Sequence, residues 1–417
     1  MIWSSLGGLI VFGVLAQLGL ITVENFRRAR GRRQQSALDL QLLETQLGIM
    51  RDVRRRRAES PLAWNGFRKF QVTKKVMECR DICSFYLSPH DGKPLPDFFP
   101  GQYLTFRLDV PAAGRSIIRC YSLSDSARPT EYRVTIKRLS DPEGVAPCGV
   151  ASSFFHEHVQ EGDILDVKAP SGNFFLDPAA GSGGVVLVGG GIGVTPMLSM
   201  LNRLVEQRAN REIWFFYGLR CRSEHAMKDH LETVARENPN VRLHICASKP
   251  DPDYRLGQDY HHAGYVSVDP FKELLPSNNF DFFVCGPGPM MHSVTEGLKA
   301  WGVPESKIHF ETFGPSSVKK IAPAAPVDEA AKAKFSVQFK KSGKSAPWTG
   351  EQSTLLELAE ANGVSIPSGC RAGSCGTCQI AIFSGDVDYL EKSDFETEPG
   401  TRLTCIGVPK SDLVVDA

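Results

Sequence analysis

"GGVVLVGGGIGVTPM", residues 183–197, decides how the middle of this 417-residue chain folds. Val185 to Val188 form a continuous apolar run, as in a strand buried on both faces, and glycines then lead into a helix that opens near Pro196. "EIWFFYGLR" (212–220), "VRLHICAS" (241–248) and "FDFFVCGP" (280–287) repeat the pattern, each followed by a helical segment. Residues 181–318 are therefore expected to form a parallel α/β sheet with helices on both faces. The glycine turn does not fit G-x-G-x-x-G, because Val194 stands where the third glycine belongs. A strand, glycine loop and helix in that order still suit a pyrophosphate at a helix N-terminus, and Pro196 suits a first helical turn.

Upstream, the period changes. From Phe67 to about Leu176 short alternating runs ("KFQVTKKV", "SFYLS", "QYLTFRL", "EYRVTIKRL", "DILDVKAP") are separated by turn residues, so residues 65–180 predict a small antiparallel barrel or sandwich. "RCYSLSD" (119–125) closes one of its strands, and "GVASSFFHEHV" (149–159) opens a helix with Ser152 near its start. Read alone, the first is a polar strand end. With the second it makes a diphosphate site, since Arg119 supplies paired donors and the helix start supplies free N–H groups. Tyr121 is placed to cover a flat ring.

Downstream, residues 319–334 contain "APAAPVDEAAKAK", lack apolar periodicity and read as a linker. The segment 335–417 mixes strands with one helix, "STLLELAEANGV", for which Ser353 is the expected N-cap. Within it lies "CRAGSCGTC" (370–378), whose Cys370, Cys375 and Cys378 are followed by Cys405. This is the C-x4-C-x2-C…C spacing of a plant-type 2Fe–2S cluster. Two bridged irons need four converging thiolates, and small neighbours such as Gly373 and Gly376 let the backbone wrap them. A zinc site would show a second C-x2-C or a Cys/His pair, and a redox dithiol would need neither Cys370 nor Cys405.

The chain's charge and ends bound its surroundings. A net charge of +1 gives no global field for nucleic acid, and none is expected as a partner. Residues 1–23 carry no charged side chain, and a helix of that length spans a bilayer core of ~30 Å. A signal peptide would need a basic start and a cleavage site that are absent here. Arg27, Arg28, Arg30, Arg32 and Arg33 follow, matching the positive-inside pattern of a single-pass inner-membrane anchor with the remaining domains facing the cytoplasm. The basic segment 24–64 includes an amphipathic helix over 36–57, read as a spacer. The cysteines, 11 in all, then lie in a reducing compartment, where an odd count in clusters argues for metal ligation over disulfides.

Taken together, "FFPGQYLTF", "RCYSLSD", "YRVTIKR", "GVASSFFHEHV", "GGGIGVTP", "CGPGPM" and "ETFGP" occur in an order that resembles the ferredoxin–NADP reductase superfamily over residues 65–315. The likeness is to the reductase portions of flavohaemoglobins and of two-component oxygenase reductases, and residues 335–417 resemble a plant-type ferredoxin with a β-grasp fold. The resemblance implies that Arg119, Lys137, Gly149 and Ser152 help seat the flavin, that Tyr121 stacks on it and that Ser122 bonds near its N5. It implies that Gly190, Gly191, Gly193, Thr195, Pro196 and Gly286 hold the pyridine nucleotide, with Cys285 beside the nicotinamide and Glu311 and Phe313 bordering the flavin. Ser122 and Cys285 are then the candidates nearest the reacting atoms. FAD is the implied flavin, FMN the alternative. NADH is favoured over NADPH by analogy, although Arg222, Ser223 and Glu224 leave the choice open. The implied function is a membrane-anchored NAD(P)H reductase that feeds a protein acceptor such as an oxygenase, hydroxylase or desaturase. A diffusible acceptor (quinone or ferric chelate) and a redox-sensing module are the alternatives.

Overall fold

In a computed structural model of the chain, the described residues are 62 and 64–417, less 112–114, 140–148, 180–182, 313–334, 351, 372, 374, 391, 392, 394 and 396. The expected anchor (1–23), the amphipathic stretch 36–57, the linker 319–334 and Phe313 lie outside them. Among the described residues no helix is long and apolar enough to cross a membrane. Residues Leu62–Ala417 form one compact unit containing three modules.

The first module is built from β1 (Arg68–Cys79), β2 (Ile82–Pro89), β3 (Tyr103–Val110), β4 (Arg115–Ser122), β5 (Tyr132–Lys137), α1 (Val150–Glu157) and β6 (Ile164–Ser171). The strands run β4-β3-β6-β1-β2-β5 with every pair antiparallel. A bridge from Leu123 to Val134 joins the two ends of that order, which decides for a barrel over a sandwich. Alternate residues turn inward: Phe70, Val72, Phe85, Leu104, Phe106 and Val134 fill the interior. Helix α1 packs against it through Phe155, whose ring lies edge-on to Phe85 and Phe106 at 5.1 and 5.4 Å.

In the second module β7 (Val185–Gly190), α2 (Val194–Glu206), β8 (Ile213–Leu219), α3 (Lys228–Glu237), β9 (Val241–Ala247), β10 (His262–Ala263), α4 (Asp269–Leu274), β11 (Asp281–Gly286), α5 (Gly288–Ala300) and β12 (Ile308–Thr312) follow in order. The sheet is parallel throughout, ordered β10-β9-β8-β7-β11-β12. Its apolar runs are continuous because both faces are covered. Val185, Leu187, Phe215, Tyr217 and Phe283 pack with Met197 and Leu201 of α2, whereas Val186, Val188, Phe216, Phe282 and Val284 pack with Val294 and Leu298 of α5. Strand order reverses at β7, so the loops after β7 and β11 meet at the switch point where open α/β sheets bind ligands. Helix α2 begins at Val194, two residues earlier than the expected Pro196. Proline is tolerated there because first-turn N–H groups have no acceptor within the helix.

The third module contains β13 (Phe335–Phe339), β14 (Lys344–Trp348), α6 (Leu355–Ala361), β15 (Gln379–Ser384), β16 (Val387–Tyr389), β17 (Thr401–Leu403), β18 (Gly407–Pro409) and β19 (Leu413–Val415). Its main sheet is mixed, ordered β14-β13-β19-β15-β17 with β13 and β19 parallel. Leu355, Leu356, Leu358 and Ala359 bury one side of α6 against Val337, Phe339 and Val415, the mixed sheet and single helix expected of a β-grasp. The helix is capped one residue later than expected. Thr354 Oγ1 accepts from the Glu357 N–H at 3.3 Å, and the Glu357 carboxylate accepts from the Ser353 N–H at 2.8 Å.

Candidate functional site

The end of β4 carries the first group of expected site residues. Arg119 is half-buried, and burial draws its guanidinium below the ordinary arginine range. Its Nη1 donates to the Ile118 carbonyl at 2.7 Å, and it makes no ion pair among the described residues. A half-buried cation without a carboxylate is suited to a phosphate. Tyr121 lies edge-on to Phe106 and Phe155 at 5.8 and 5.2 Å, and burial pushes its hydroxyl well above the usual phenol range. Ser122 is buried and opposite Tyr103. Gly149 is the N-cap of α1, and its N–H donates to the Leu139 carbonyl at 2.9 Å. Ser152 Oγ donates back to the Gly149 carbonyl at 3.0 Å and accepts from the Leu139 N–H at 3.1 Å, pinning the helix start to the chain leaving β5.

Lys137 is differently engaged. Its ammonium lies 3.2 Å from Glu224 Oε1, across from the barrel to the loop after β8, and Glu224 also accepts from Arg220 at 2.6 Å. Lys137, expected beside the cofactor, thus forms an ion pair between modules.

At the switch point two glycine loops touch. Gly190 and Gly286 lie so close that a Cβ on Gly286 would fall 3.1 Å from the Gly190 Cα, and one on Gly190 would meet Met290 Sδ at 2.4 Å. Gly193 abuts the Cys285 carbonyl, where a Cβ would come within 2.2 Å of the oxygen. Gly191 has φ +52° and open space where a Cβ would point, so this stretch of backbone is bare toward solvent. Thr195 is buried in the first turn of α2, its hydroxyl donating to the Ile192 carbonyl at 3.0 Å. Pro196 is buried beside it. This arrangement fits a nucleotide pyrophosphate laid over bare backbone at a helix start.

Cys285 itself is fully enclosed. Its side chain joins the α2 side of the core and burial pushes the thiol far up, so it does not offer a reactive sulfur to solvent. The reason is parity: odd residues of β11 turn toward α2. Glu311 stands opposite it on β12.

The four expected ligand cysteines converge in the third module. Cys378 and Cys405 are buried, Cys370 and Cys375 half-buried. The Cys370 N–H donates to Cys375 Sγ and the Cys375 N–H to Cys370 Sγ, both at 3.3 Å, while the Gly373 N–H donates to Cys405 Sγ at 3.4 Å. Cys405 adjoins both Cys370 and Cys378, and Cys370 adjoins Cys375, so the four sulfurs form one connected group. Among the described residues no three acidic, histidine or cysteine side chains gather as for one ion. Four converging cysteine sulfurs are what a two-iron cluster requires, and the arrangement fits it. Contacts with Cys120 and Cys370 draw the Cys375 sulfur below the ordinary thiol range, while contacts with Cys370 and Cys378 push Cys405 far above it. Gly373 and Gly376 have φ +69° and +70°, and a Cβ would strike Ile406 or the Phe395 ring.

Cys120, between Arg119 and Tyr121, was not among the expected site residues. Its only signal in the sequence was alternation, which turns it away from its two neighbours.

These three loops on this fold define a flavin- and nucleotide-dependent oxidoreductase with an iron–sulfur module. Comparisons agree. A family model described as an oxidoreductase FAD-binding domain matches residues 69–176, an oxidoreductase NAD-binding domain matches 187–296, and a 2Fe-2S iron-sulfur cluster binding domain matches 338–410. The chain is 38% identical to a flavohemoprotein of Halalkalibacterium halodurans over 62% of its own length and 62% of the relative's, so it spans about three fifths of that protein. For the flavohemoprotein of Bordetella pertussis the figures are 38%, 67% and 68%. Among solved structures, phthalate dioxygenase reductase, described as a modular structure for electron transfer from pyridine nucleotides to 2Fe–2S, matches at 30% identity and TM-score 0.53, over 85% of this chain and 98% of that one. The FAD/NAD-binding domain of a nitric oxide dioxygenase from Vibrio cholerae matches at 29% identity and TM-score 0.54, over 60% and 100%. The chain belongs to the ferredoxin–NADP reductase superfamily, as a flavin and iron–sulfur oxidoreductase with a C-terminal 2Fe–2S domain. Its cofactors are FAD, a 2Fe–2S cluster and NAD(H).

Proposed function

We propose that this chain is an electron-supply reductase, drawing on NADH and serving a partner protein of the oxygenase, hydroxylase or desaturase class. The observation that carries this reading is the contact between β4 and the cysteine loop. A Cβ on Gly369 would lie 3.2 Å from Ile118 Cγ2, so the strand bearing the flavin motif and the loop bearing the cluster ligands adjoin. When bound, the flavin accepts a hydride and releases electrons singly to a centre that carries one at a time. The chain's part is to hold these groups in line. Arg119 and the start of α1 would take the flavin diphosphate, Tyr121 would cover its ring, and Ser122 would bond near N5. The bare backbone at Gly190, Gly191 and Gly193 would take the nucleotide, with Thr195 and Gly286 beside it. Cys370, Cys375, Cys378 and Cys405 would ligate the iron of the cluster.

For the coenzyme, Arg222 is already engaged by Asp253 at 2.8 Å, and its N–H by Asp251 at 2.9 Å. That leaves it less free for a 2′-phosphate and favours NADH. Residues 1–23, uncharged and followed by arginines, support an inner-membrane anchor with the catalytic modules in the cytoplasm. A neighbour named as the reductase of a dioxygenase supports a protein acceptor.

The test is purification of the full-length protein from membranes, followed by crosslinking and NADH-driven turnover. The expected result is a co-purifying oxygenase-type protein that becomes reduced, with release from the membrane on removal of residues 1–23. Saturable reduction of quinone or ferric chelate with no protein acceptor would overturn the partner. Presence in the soluble fraction at full length would overturn the anchor.

A further inference from the structure

Strand β4 has an outward side as well as one that faces the barrel. Ile117 and Tyr121 pack on the barrel core, and side chains alternate along the strand, so Ile118 projects the other way. Its partner on that outward face, Arg107, is exposed, as are Ser116 and Asp109, yet Ile118 is half-buried. The ligand loop of the third module lies against it. A Cβ placed on Gly369 would fall 3.2 Å from Ile118 Cγ2, 3.0 Å from Cys375 Sγ and 3.3 Å from Thr377 Oγ1. One point therefore adjoins a barrel side chain and a ligand sulfur at once. All three distances are tighter than ordinary van der Waals contact, so the approach needs glycine at 369.

The same strand serves the flavin site. Arg119 Nη1 donates to the Ile118 carbonyl at 2.7 Å, and Tyr121 stands three residues beyond Ile118, about 10 Å along an extended strand. From the ring that Tyr121 would cover to the Cys375 sulfur, the intervening matter is a short piece of β4, one isoleucine side chain and the bare backbone of Gly369.

We propose that Ile118 and Gly369 form the seam by which electrons cross from the flavin to the cluster, entering at the Cys375 ligand, and that both are positioning residues setting the crossing distance. The proposal rests on the electron-supply reading and deepens it by naming the route and the ligand of entry. NADH gives up a hydride, which is one proton and two electrons. The electrons cross singly, each converting one ferric ion of the cluster to ferrous, and the proton goes to solvent. The cluster hands each electron to a one-electron acceptor before the next one arrives.

The test is anaerobic stopped-flow mixing of the full-length protein with NADH. The variants are Ile118→Ala, Ile118→Phe, Gly369→Ala and the double variant Ile118→Ala/Gly369→Ala, each beside wild type. Absorbance separates reduction of the flavin from reduction of the cluster, and a redox titration followed by EPR records the cluster potential. Flavin reduction keeps its wild-type rate in every variant. A displacement of about 1 Å costs roughly 100-fold where geometry controls a rate. The few tenths of an ångström that Gly369→Ala forces on its neighbours therefore slow the crossing about threefold, and the larger wedge of Ile118→Phe slows it roughly tenfold. Ile118→Ala loosens the seam and also slows the crossing. In the double variant the new methyl group fills the space that Ile118 vacates, and the rate returns toward wild type at an unchanged potential.

Wild-type crossing rates in Ile118→Phe and Gly369→Ala, or no recovery in the double variant, overturn the seam. Slowing matched by a shift in cluster potential assigns the effect to driving force and overturns it too. A wild type whose flavin is reduced by NADH but never reduces the cluster overturns the electron-supply reading itself, and the proposal with it. If Gly369→Ala holds no cluster, as judged by its EPR signal, the two Ile118 variants carry the test: slowed crossing in Ile118→Phe supports the seam, and wild-type crossing in both overturns it.

Discussion

Asp125 accepts a hydrogen bond from the Asn202 side chain at 2.6 Å, so the residue that ends the flavin-strand motif is fastened to the helix behind the glycine loop. Its carbonyl also accepts from Ser199 Oγ at 2.8 Å, and the next residue, Ser126, is hydrogen-bonded to Glu206 on the same helix. Helix α2 thus sets the flavin strand and the nucleotide loop against each other.

Asn202→Ala should loosen that setting without touching either ligand. A hydrogen bond to a carboxylate contributes about 1.5–3 kcal/mol, and if a good share of it positions the modules, reduction of bound flavin by NADH slows roughly tenfold. Stopped-flow absorbance of the flavin measures this. An unaltered rate would mean that the remaining contacts hold the geometry alone.

Arg119→Ala should weaken flavin retention, since it removes a half-buried cation that pairs with no carboxylate among the described residues. Charge-assisted bonds of about 1.5–3 kcal/mol correspond to roughly a 10- to 150-fold rise in dissociation constant. Fluorescence titration of the flavin-free protein reads it directly. An affinity equal to wild type would remove Arg119 from the flavin site.

Cys405→Ala should abolish the visible absorbance and EPR signal of the cluster while leaving reduction of flavin by NADH intact. Cys405 adjoins Cys370 and Cys378, and all four cysteines lie in a module separate from the nucleotide loops. Loss of flavin reduction in a protein that still binds flavin would contradict that separation.

Gly193→Ala forces a Cβ to within 2.2 Å of the Cys285 carbonyl oxygen, a backbone atom that cannot rotate away. Overpacking of this kind costs about 1–3 kcal/mol. The melting temperature should fall, and KM for NADH should rise more than kcat falls, because the displaced loop is the one that receives the nucleotide. Thermal scanning and steady-state kinetics with a dye acceptor check the two effects.

Stability should also depend on pH through His225. This imidazole is buried with Nδ1 at 2.6 Å from the Tyr254 hydroxyl, and burial pulls it down to about 4. Its folded value lies below the ~6.5 of an unfolded chain, so the folded state favours the neutral ring. The stability it contributes is complete above ~6.5 and is lost as pH falls toward about 4, on the order of 3 kcal/mol in all. His244, also pulled down to about 4 by burial but more accessible, adds a smaller loss in the same window. Chemical denaturation from pH 7 to pH 4 should show this decline, and His225→Gln should flatten it. A variant with wild-type slope would assign the decline elsewhere.

Much of the fold was legible because its signals are local. The unbroken apolar runs at Val185–Val188 and Phe282–Val284 can only be strands covered on both faces, and the cysteine spacing is itself the geometry of the ligand loop. What escaped depends on pairing between distant residues. Closure of the barrel rests on Leu123 meeting Val134, which no periodicity announces. Nor does any periodicity announce that Lys137, expected beside the cofactor, pairs with Glu224 far along the chain. The cap of α6 fell on Thr354 in place of Ser353, because serine and threonine side by side offer the same hydroxyl and only backbone conformation chooses. Alternation along β11 would have placed the Cys285 thiol in the core, and alternation along β4 would have turned Cys120 away from Arg119 and Tyr121. Each reading needed only the face of its strand to be known.

The adjacency of Ile118 to Gly369 has a consequence for how such a protein is assembled from parts. The cysteine-bearing module comes last in the chain, yet its ligand loop meets the first module at Ile118. Order along the polypeptide and order of contact are therefore independent. Transplanting the ferredoxin segment to the other end of the barrel, or supplying it as a separate polypeptide, should preserve function so long as the β4 surface that receives it is left untouched.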